Sequence, residues 1–305
     1  MDTIVENNNV QVEVDSRNHL KGNGLSILNA QRDPDRTSDS YAQTDDLAIV
    51  KTLNEAGWFV NNYKQVNAHN KDKAKFRTYL ATYTHESGLE IPNEGKLTVL
   101  QKGSHDGSKK LVLNLGFFRG ICANGMVAGE SLLKPVEIKH IGNQPEQLHR
   151  LVSQLLTLAP VLLDKVAEFK AIELSNSQAE FFAKQALDFR FGKEVLQDFV
   201  TEDGKLVERN IHPVKPSQLL TSLRYEDSGN TLWKVLNRVQ ERLIKKTNLI
   251  GVFEKKVEEE GQATKIVSFN RVISGVKNID LDLKINTGIW DLAETFRKDL
   301  AKTFH

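Results

Sequence analysis

The chain has 305 residues, enough for one large or two modest domains with a real core. Its 41 Lys and Arg against 40 Asp and Glu leave a net charge of +1, which excludes a global basic field, so any nucleic-acid contact must come from a local cluster of cations. A single cysteine excludes an internal disulfide, and neither a leader-like start nor an apolar run near the roughly 20 residues of a membrane span is present, so a cytoplasmic protein with no membrane partner is expected.

Residues 1–42 are rich in Asn, Asp and Ser and read as a flexible polar arm, interrupted at Pro34, with one alternating stretch at 10–14 able to pair as an edge strand. Structure is expected to begin at Thr44, an N-cap candidate before Asp45 and Asp46. Leu47, Val50 and Leu53 form a helical stripe that Gly57 closes. Four strand-like runs follow at 58–66, 76–85, 96–102 and 110–118, with a fifth at 136–140. In the second run, Phe76, Thr78, Leu80, Thr82 and Thr84 alternate with Arg77, Tyr79, Ala81 and Tyr83, which predicts a sheet covered in part on both faces.

After residue 143 the period changes. Leu148, Leu151, Leu155, Leu162, Val166 and Phe169 keep a helical spacing, with Pro160 as a kink site. Ser177 and Glu180 predict a capping box for a helix ending at Gly192. A polar connection at 201–216 leads to a helix over 230–246, then a mixed stretch at 273–283 and a last helix over 288–304. The expected fold class is α+β: an antiparallel sheet of about four to five strands in the N-terminal half, and a helix-rich C-terminal half. The expected regions are 1–42, 43–143 and 144–305, the last two possibly sharing one core.

The segment 103–129 concentrates the chemistry. If the chain is an enzyme, His105 is the base, Asp106 its partner and Cys122 a nucleophile. His85, Glu86, His105 and Asp106 are weak candidates for a divalent metal, because no spacing typical of a metal site accompanies them. Against this, Asp106-Gly107 and Asn124-Gly125 are turn signals, and a lone Cys after Phe117, Phe118 and Ile121 reads as a small buried hydrophobe. Gly103 and Gly107 are one residue too close for a phosphate loop, and Gly22-Asn23-Gly24 has no strand before it, so no cofactor is expected.

Arg119 sits among apolar residues and needs a buried partner, for which Asp106 is one choice and a nucleic-acid phosphate the other. In the helix over 230–246, Lys234, Arg238, Arg242 and Lys245 lie in a row beside an apolar stripe, which suits a phosphate backbone or a solvated face. Lys64, Arg77, Lys109 and Lys110 add cations to the strands, near Trp58, Tyr63, Tyr79 and Tyr83, whose rings could stack bases.

Gly103-Ser104-His105-Asp106-Gly107-Ser108 and Phe117-Phe118-Arg119-Gly120-Ile121-Cys122-Ala123-Asn124-Gly125 resemble paired motifs of the domain-of-unknown-function 932 family, a phage- and plasmid-like group that includes enterobacterial prophage proteins. Arg224-Tyr225-Glu226-Asp227, Asn230-Thr231-Leu232-Trp233, Arg238-Val239-Gln240-Glu241 and Lys284-Ile285-Asn286 look like further parts of the same pattern. The resemblance implies a mobile-element setting in a host cytoplasm and brings no activity with it. The element order also loosely resembles single-strand annealing proteins. From these residues the leading expectation is a non-enzymatic, homo-oligomeric protein that binds single-stranded DNA in recombination or annealing. The alternatives are a counter-defence factor that blocks a host defence or recombination protein, and a metal-dependent hydrolase.

Overall fold

Alternation of apolar residues along 79–85, 95–103 and 111–119 requires three long strands with a shared buried face, and that sheet organises the first half of the chain. The computed structural model describes residues 3–7, 10–14, 33–37, 46–65, 76, 78–86, 90–91, 95–119, 124–127, 136–138, 144–192, 197–200, 206–209, 212–257 and 265–303. Two compact units are present, Met1–Lys165 and Val166–His305.

In the first unit a hairpin of β1 (Thr3–Asn7) and β2 (Val10–Val14) lies against β3 (Trp58–Gln65) and helix α1 (Asp46–Glu55). The remaining strands are β4 (Tyr79–His85), β5 (Glu90–Ile91), β6 (Gly95–Gly103), β7 (Leu111–Arg119), β8 (Asn124–Val127) and β9 (Val136–Ile138). The main antiparallel path runs β3-β4-β6-β7-β8, with the short β5 on β6 and β9 on β7. The expected sheet is thus present, enlarged by two short strands. Ile49, Val50 and Leu53 of α1 are buried with Trp58, Ala81, Tyr83, Leu97, Val99 and Leu113. Gly57 takes φ +81° between α1 and β3, and a Cβ there would lie 2.8 Å from His85 Nε2, so both conformation and space demand glycine.

The supposed arm is not structureless throughout. Residues 33–37 form a turn in which the Asp33 carbonyl accepts from Arg36 and Thr37, and the Asp33 N–H donates to the His105 carbonyl at 2.9 Å. Burial of Asp33 to 1 % exposure ties this turn to the sheet, a contact too distant in sequence for local pattern to reveal.

Helix α2 (Gln144–Ala171) contains Pro160 and crosses from one unit to the next. The division between the two units falls inside this helix, after Lys165. Pattern changes where strands stop, whereas packing changes where Phe169 meets Trp290, ring centroids 5.1 Å apart. Helix α3 (Asn176–Phe191) is capped by a box of Ser175 and Gln178, two residues before the predicted pair, and Gly192 closes it. A hairpin of β10 (Gln197–Val200) and β11 (Leu206–Arg209) leads into and overlaps the polar connection. A short helix α4 (Pro216–Leu219) precedes α5 (Leu232–Ile244), which Thr231 caps. A second hairpin, β12 (Ile250–Val257) with β13 (Lys265–Val272), then leads to α6 (Ile279–Thr303). The Asn278 side chain accepts from the N–H groups of Asp280 and Leu281, which starts α6 a turn or more before the predicted 288. Among the described residues, no helix is long and apolar enough to cross a membrane.

Candidate functional site

The β6–β7 turn, Ser104 to Lys110, is the site of the sequence motif, and two groups of buried polar side chains hold it. In the first, Asp46 at the start of α1 accepts at Oδ1 from the Tyr79 hydroxyl (2.8 Å) and from Gln101 Nε2 (3.0 Å). Its Oδ2 lies 3.2 Å from His105 Nε2. Gln101 Nε2 also donates to the Tyr79 hydroxyl at 3.0 Å, and the Tyr83 hydroxyl donates to Gln101 Oε1. The His105 ring stacks on Tyr79 at 5.4 Å. Asp46, Tyr79, Tyr83, Gln101 and His105 are all under 5 % exposed. Burial, followed by the Asp46 charge, pushes both tyrosine hydroxyls well above their usual range. Gly103 belongs to the same arrangement, because a Cβ there would stand 2.7 Å from the Tyr79 hydroxyl oxygen.

The second group closes the turn. Asp106 accepts from the Ser108 backbone N–H (3.0 Å) and hydroxyl, and from Arg36 Nη1 at 3.1 Å. Ser104 Oγ accepts from the Lys109 N–H at 3.0 Å. Burial raises the Asp106 pKa, but the hydrogen bonds from Ser108 and Ser104 and the Arg36 charge outweigh it and hold the carboxyl below its usual range. Gly107 has φ +70°, so an Asx turn with a left-handed glycine makes this corner.

Strand register separates several residues that are neighbours in sequence or in expectation. Tyr79 is opposite Gly103, so His85 lies at the far end of β4, roughly 20 Å from the turn at the usual rise per residue. There His85 Nε2 meets the Ala56 carbonyl at 3.1 Å and its ring meets Trp58 edge-on. His85 and Glu86 therefore do not join His105 and Asp106, and among the described residues no three of His, Cys, Asp or Glu are placed so that they could hold a metal ion. Arg119 ends β7, opposite Asn124, roughly 27 Å along the strand from Leu111. Asp106 pairs with Arg36, and the Arg119 side chain lies outside the described residues. Cys122 and Arg77 lie outside the described residues.

The register also gathers cations. In the backbone register Lys64 is opposite Leu80 and Leu80 is opposite Lys102. That row ends beside the turn bearing Lys109 and the exposed Lys110, where the Arg36 side chain is 54 % exposed. Of the aromatic residues offered for stacking, Trp58, Tyr79 and Tyr83 belong to the core, at 0–1 % exposure, and the Tyr63 side chain lies outside the described residues.

In the second unit the predicted cationic row is largely turned inward. Arg238 is 8 % exposed and donates to Asn230 Oδ1 at 3.0 Å; Arg242 is 9 % exposed and donates to the carbonyls of Thr221 (3.1 Å) and Thr247 (3.2 Å). Burial lowers both guanidinium pKa values, with Asp227 and Glu241 respectively opposing the shift. Lys234 and Lys245 remain half-buried at the two ends of α5.

Sequence reasoning missed Asp46, Gln101, Lys102 and Arg36. Gln101 carried a signal, since it interrupts the apolar alternation Leu97, Val99, Gln101 with a polar side chain on the buried face. Arg36 carried none, because its partner is 70 residues away.

The Domain of unknown function (DUF932) family matches residues 35–271. The chain is 26 % identical to the UPF0380 protein YfjQ of Escherichia coli K12 over 266 residues, covering 86 % of this chain and 85 % of that one. It is 29 % identical to the UPF0380 protein YafZ of the same organism over 218 residues, covering 70 % and 69 %. No solved structure matches it.

Proposed function

The chain belongs to the DUF932 family, and within it we propose that this protein binds single-stranded DNA through the cationic end of its sheet, as a non-enzymatic factor of strand annealing or recombination on a mobile element. The observation that carries the reading is that Lys102, Lys109, Lys110 and Arg36 lie at or beside one hydrogen-bonded turn, in a chain whose net charge is only +1. Phosphate affinity depends on such local density, since each neutralised phosphate releases counterions. A turn fixed by Asp106 and Ser104 holds its lysines in place before any ligand arrives, which lowers the entropy lost on binding. Catalysis by the motif has less support, because His105 and Asp106 are 3 % and 5 % exposed and both are engaged with protein groups. The mobile-element role itself rests on the family resemblance.

Fluorescence anisotropy with a labelled oligothymidine and the full chain tests the proposal. The variant Lys109→Ala/Lys110→Ala is expected to bind at least about tenfold more weakly at low salt. Its log–log salt slope should be shallower by about 1.4, from roughly 0.7 per single-strand phosphate contact. Lys302→Ala, at an exposed site on α6, should leave both unchanged. Absence of binding by the unaltered chain at about 50 mM salt refutes the proposal.

A further inference from the structure

The loop before α5 is braced on both sides of Tyr225. Ahead of it, Arg224 pairs with Glu241, and the Arg224 N–H donates to Ser222 Oγ at 3.3 Å. After it, the Ser228 N–H donates to the Tyr225 carbonyl at 3.0 Å, the Ser228 hydroxyl donates to the same oxygen, and Asp227 is 2 % exposed. Between these ties the Tyr225 residue itself is 89 % exposed. A large ring in water forgoes the gain of burial, and one held out on a fixed turn loses little entropy when a ligand covers it.

Two other described aromatic residues are exposed, and both already have a ring neighbour. Phe181 tilts against Phe296 with centroids 6.0 Å apart, and Phe269 stacks on Phe253 at 5.9 Å. Tyr225 makes no ring contact among the described residues, so both of its faces are open. Its surround is polar: Thr221, Glu226 and Gly229 are exposed beside it, and Leu223 is the apolar exception. Protein hot spots stand in well-packed desolvated patches, whereas a stacking platform needs an open ring face. The acidic Glu226 next to the ring repels phosphate, so the group expected on the ring is a base.

A cation is held over the same turn. Lys234 occupies the first turn of α5, and helical side chains lean toward the N-terminus. The lean brings it to Gly229, where φ is +102° and a Cβ would lie 3.4 Å from Lys234 Nζ and 3.5 Å from its Cδ. Lys234 makes none of the described ion pairs. The hydrogen-bonded turn keeps Tyr225 and Gly229 within about 11 Å at the backbone, close enough for one short stretch of strand to meet both.

We infer that the Tyr225 ring stacks on a base of single-stranded DNA while the Lys234 ammonium meets a neighbouring phosphate, a contact made by the second unit. The inference rests on the reading that the chain binds such strands, and it adds the base contact that the buried aromatics of the sheet do not supply.

Anisotropy of the full chain with labelled oligothymidine, and with an abasic sugar-phosphate strand of the same length, tests it. Tyr225→Ala should bind oligothymidine at least about fivefold more weakly, the effect of one lost stack, with an unchanged salt slope. Tyr225→Phe should keep the affinity, and on the abasic strand Tyr225→Ala should equal the unaltered chain. Lys234→Ala should make the log–log salt slope shallower by about 0.7. Thermal melts should be unmoved by Tyr225→Ala, since the ring is in solvent. Equal binding of oligothymidine by Tyr225→Ala and the unaltered chain overturns the inference and leaves the sheet-turn reading standing, as does an equal loss on the abasic strand. Loss with Tyr225→Ala but none with Lys109→Ala/Lys110→Ala supports the inference and removes the sheet-turn reading. No binding by the unaltered chain at about 50 mM salt overturns both.

Discussion

Asp46 is the single residue on which the buried network of the first unit depends, and Asp46→Ala should show it. The substitution removes the acceptor of the Tyr79 hydroxyl (2.8 Å) and of Gln101 Nε2 (3.0 Å), and the carboxylate beside His105 Nε2 (3.2 Å). Gln101 retains the Tyr79 oxygen, so its loss is partial, whereas the Tyr79 hydroxyl loses the acceptor at 2.8 Å. Each buried donor left unpaired costs about 1–3 kcal/mol, so a total of about 2–4 kcal/mol is expected. The chain has two units, and one global transition would blur the effect. Hydrogen exchange at the amides of β4 and β6 isolates it, because stability is read there strand by strand. Asp46→Asn, which keeps one oxygen acceptor, should lose about half as much. The reasoning fails if the β4 and β6 amides of Asp46→Ala exchange no faster than those of the unaltered chain, within about 0.5 kcal/mol, or if Asp46→Ala and Tyr79→Phe are additive when combined. Groups sharing a hydrogen bond should couple by about 1 kcal/mol.

Two further outcomes follow from the same neighbourhood. Because the folded Asp106 carboxyl titrates below its usual 3.8, its contribution is present above that pH and is lost as pH falls through the folded value. The stability difference between the unaltered chain and Asp106→Asn should therefore shrink in acid, which urea denaturation followed over a pH series will measure; a constant difference would show that the carboxylate charge is irrelevant. Gly57→Ala should cost about 1–2 kcal/mol from the left-handed backbone alone, and more from the 2.8 Å approach to His85 Nε2. Gly57→Ala/His85→Ala relieves the second cost and not the first, so thermal melts of the two variants should differ.

The sheet was legible because its signals are local. Alternation located the long strands to within a few residues, and Gly57 announced the stop of α1, since both depend on neighbours in sequence. The hairpins β10–β11 and β12–β13 were not legible. Their residues mix charges with apolar side chains on both faces, as in Val252-Phe253-Glu254-Lys255-Lys256, so no one-sided alternation marks them. In β12–β13, Ile250, Val252, Phe269 and Val272 are left 41–51 % exposed, so burial does not mark the strands either.

The cationic row of α5 shows where local pattern misleads about function. On a helical wheel Lys234, Arg238, Arg242 and Lys245 flank an apolar stripe, and such a flank ordinarily faces water. Yet every residue of α5 except Lys234 is buried, and α5 packs against both α3 and α6. A guanidinium can be buried at such a position only if its donors find acceptors, and here the loops before and after the helix supply them: Asn230 for Arg238, and the carbonyls of Thr221 and Thr247 for Arg242. Glu241, on the same helix, reaches back to Arg224 and ties down the loop that contains Tyr225. The arginines thus join α5 to its connecting segments, a role that Lys, with its point charge and three donors, would fill poorly. Those segments carry the motifs Arg224-Tyr225-Glu226-Asp227 and Asn230-Thr231-Leu232-Trp233, so this part of the family pattern is explained by the packing of the second unit.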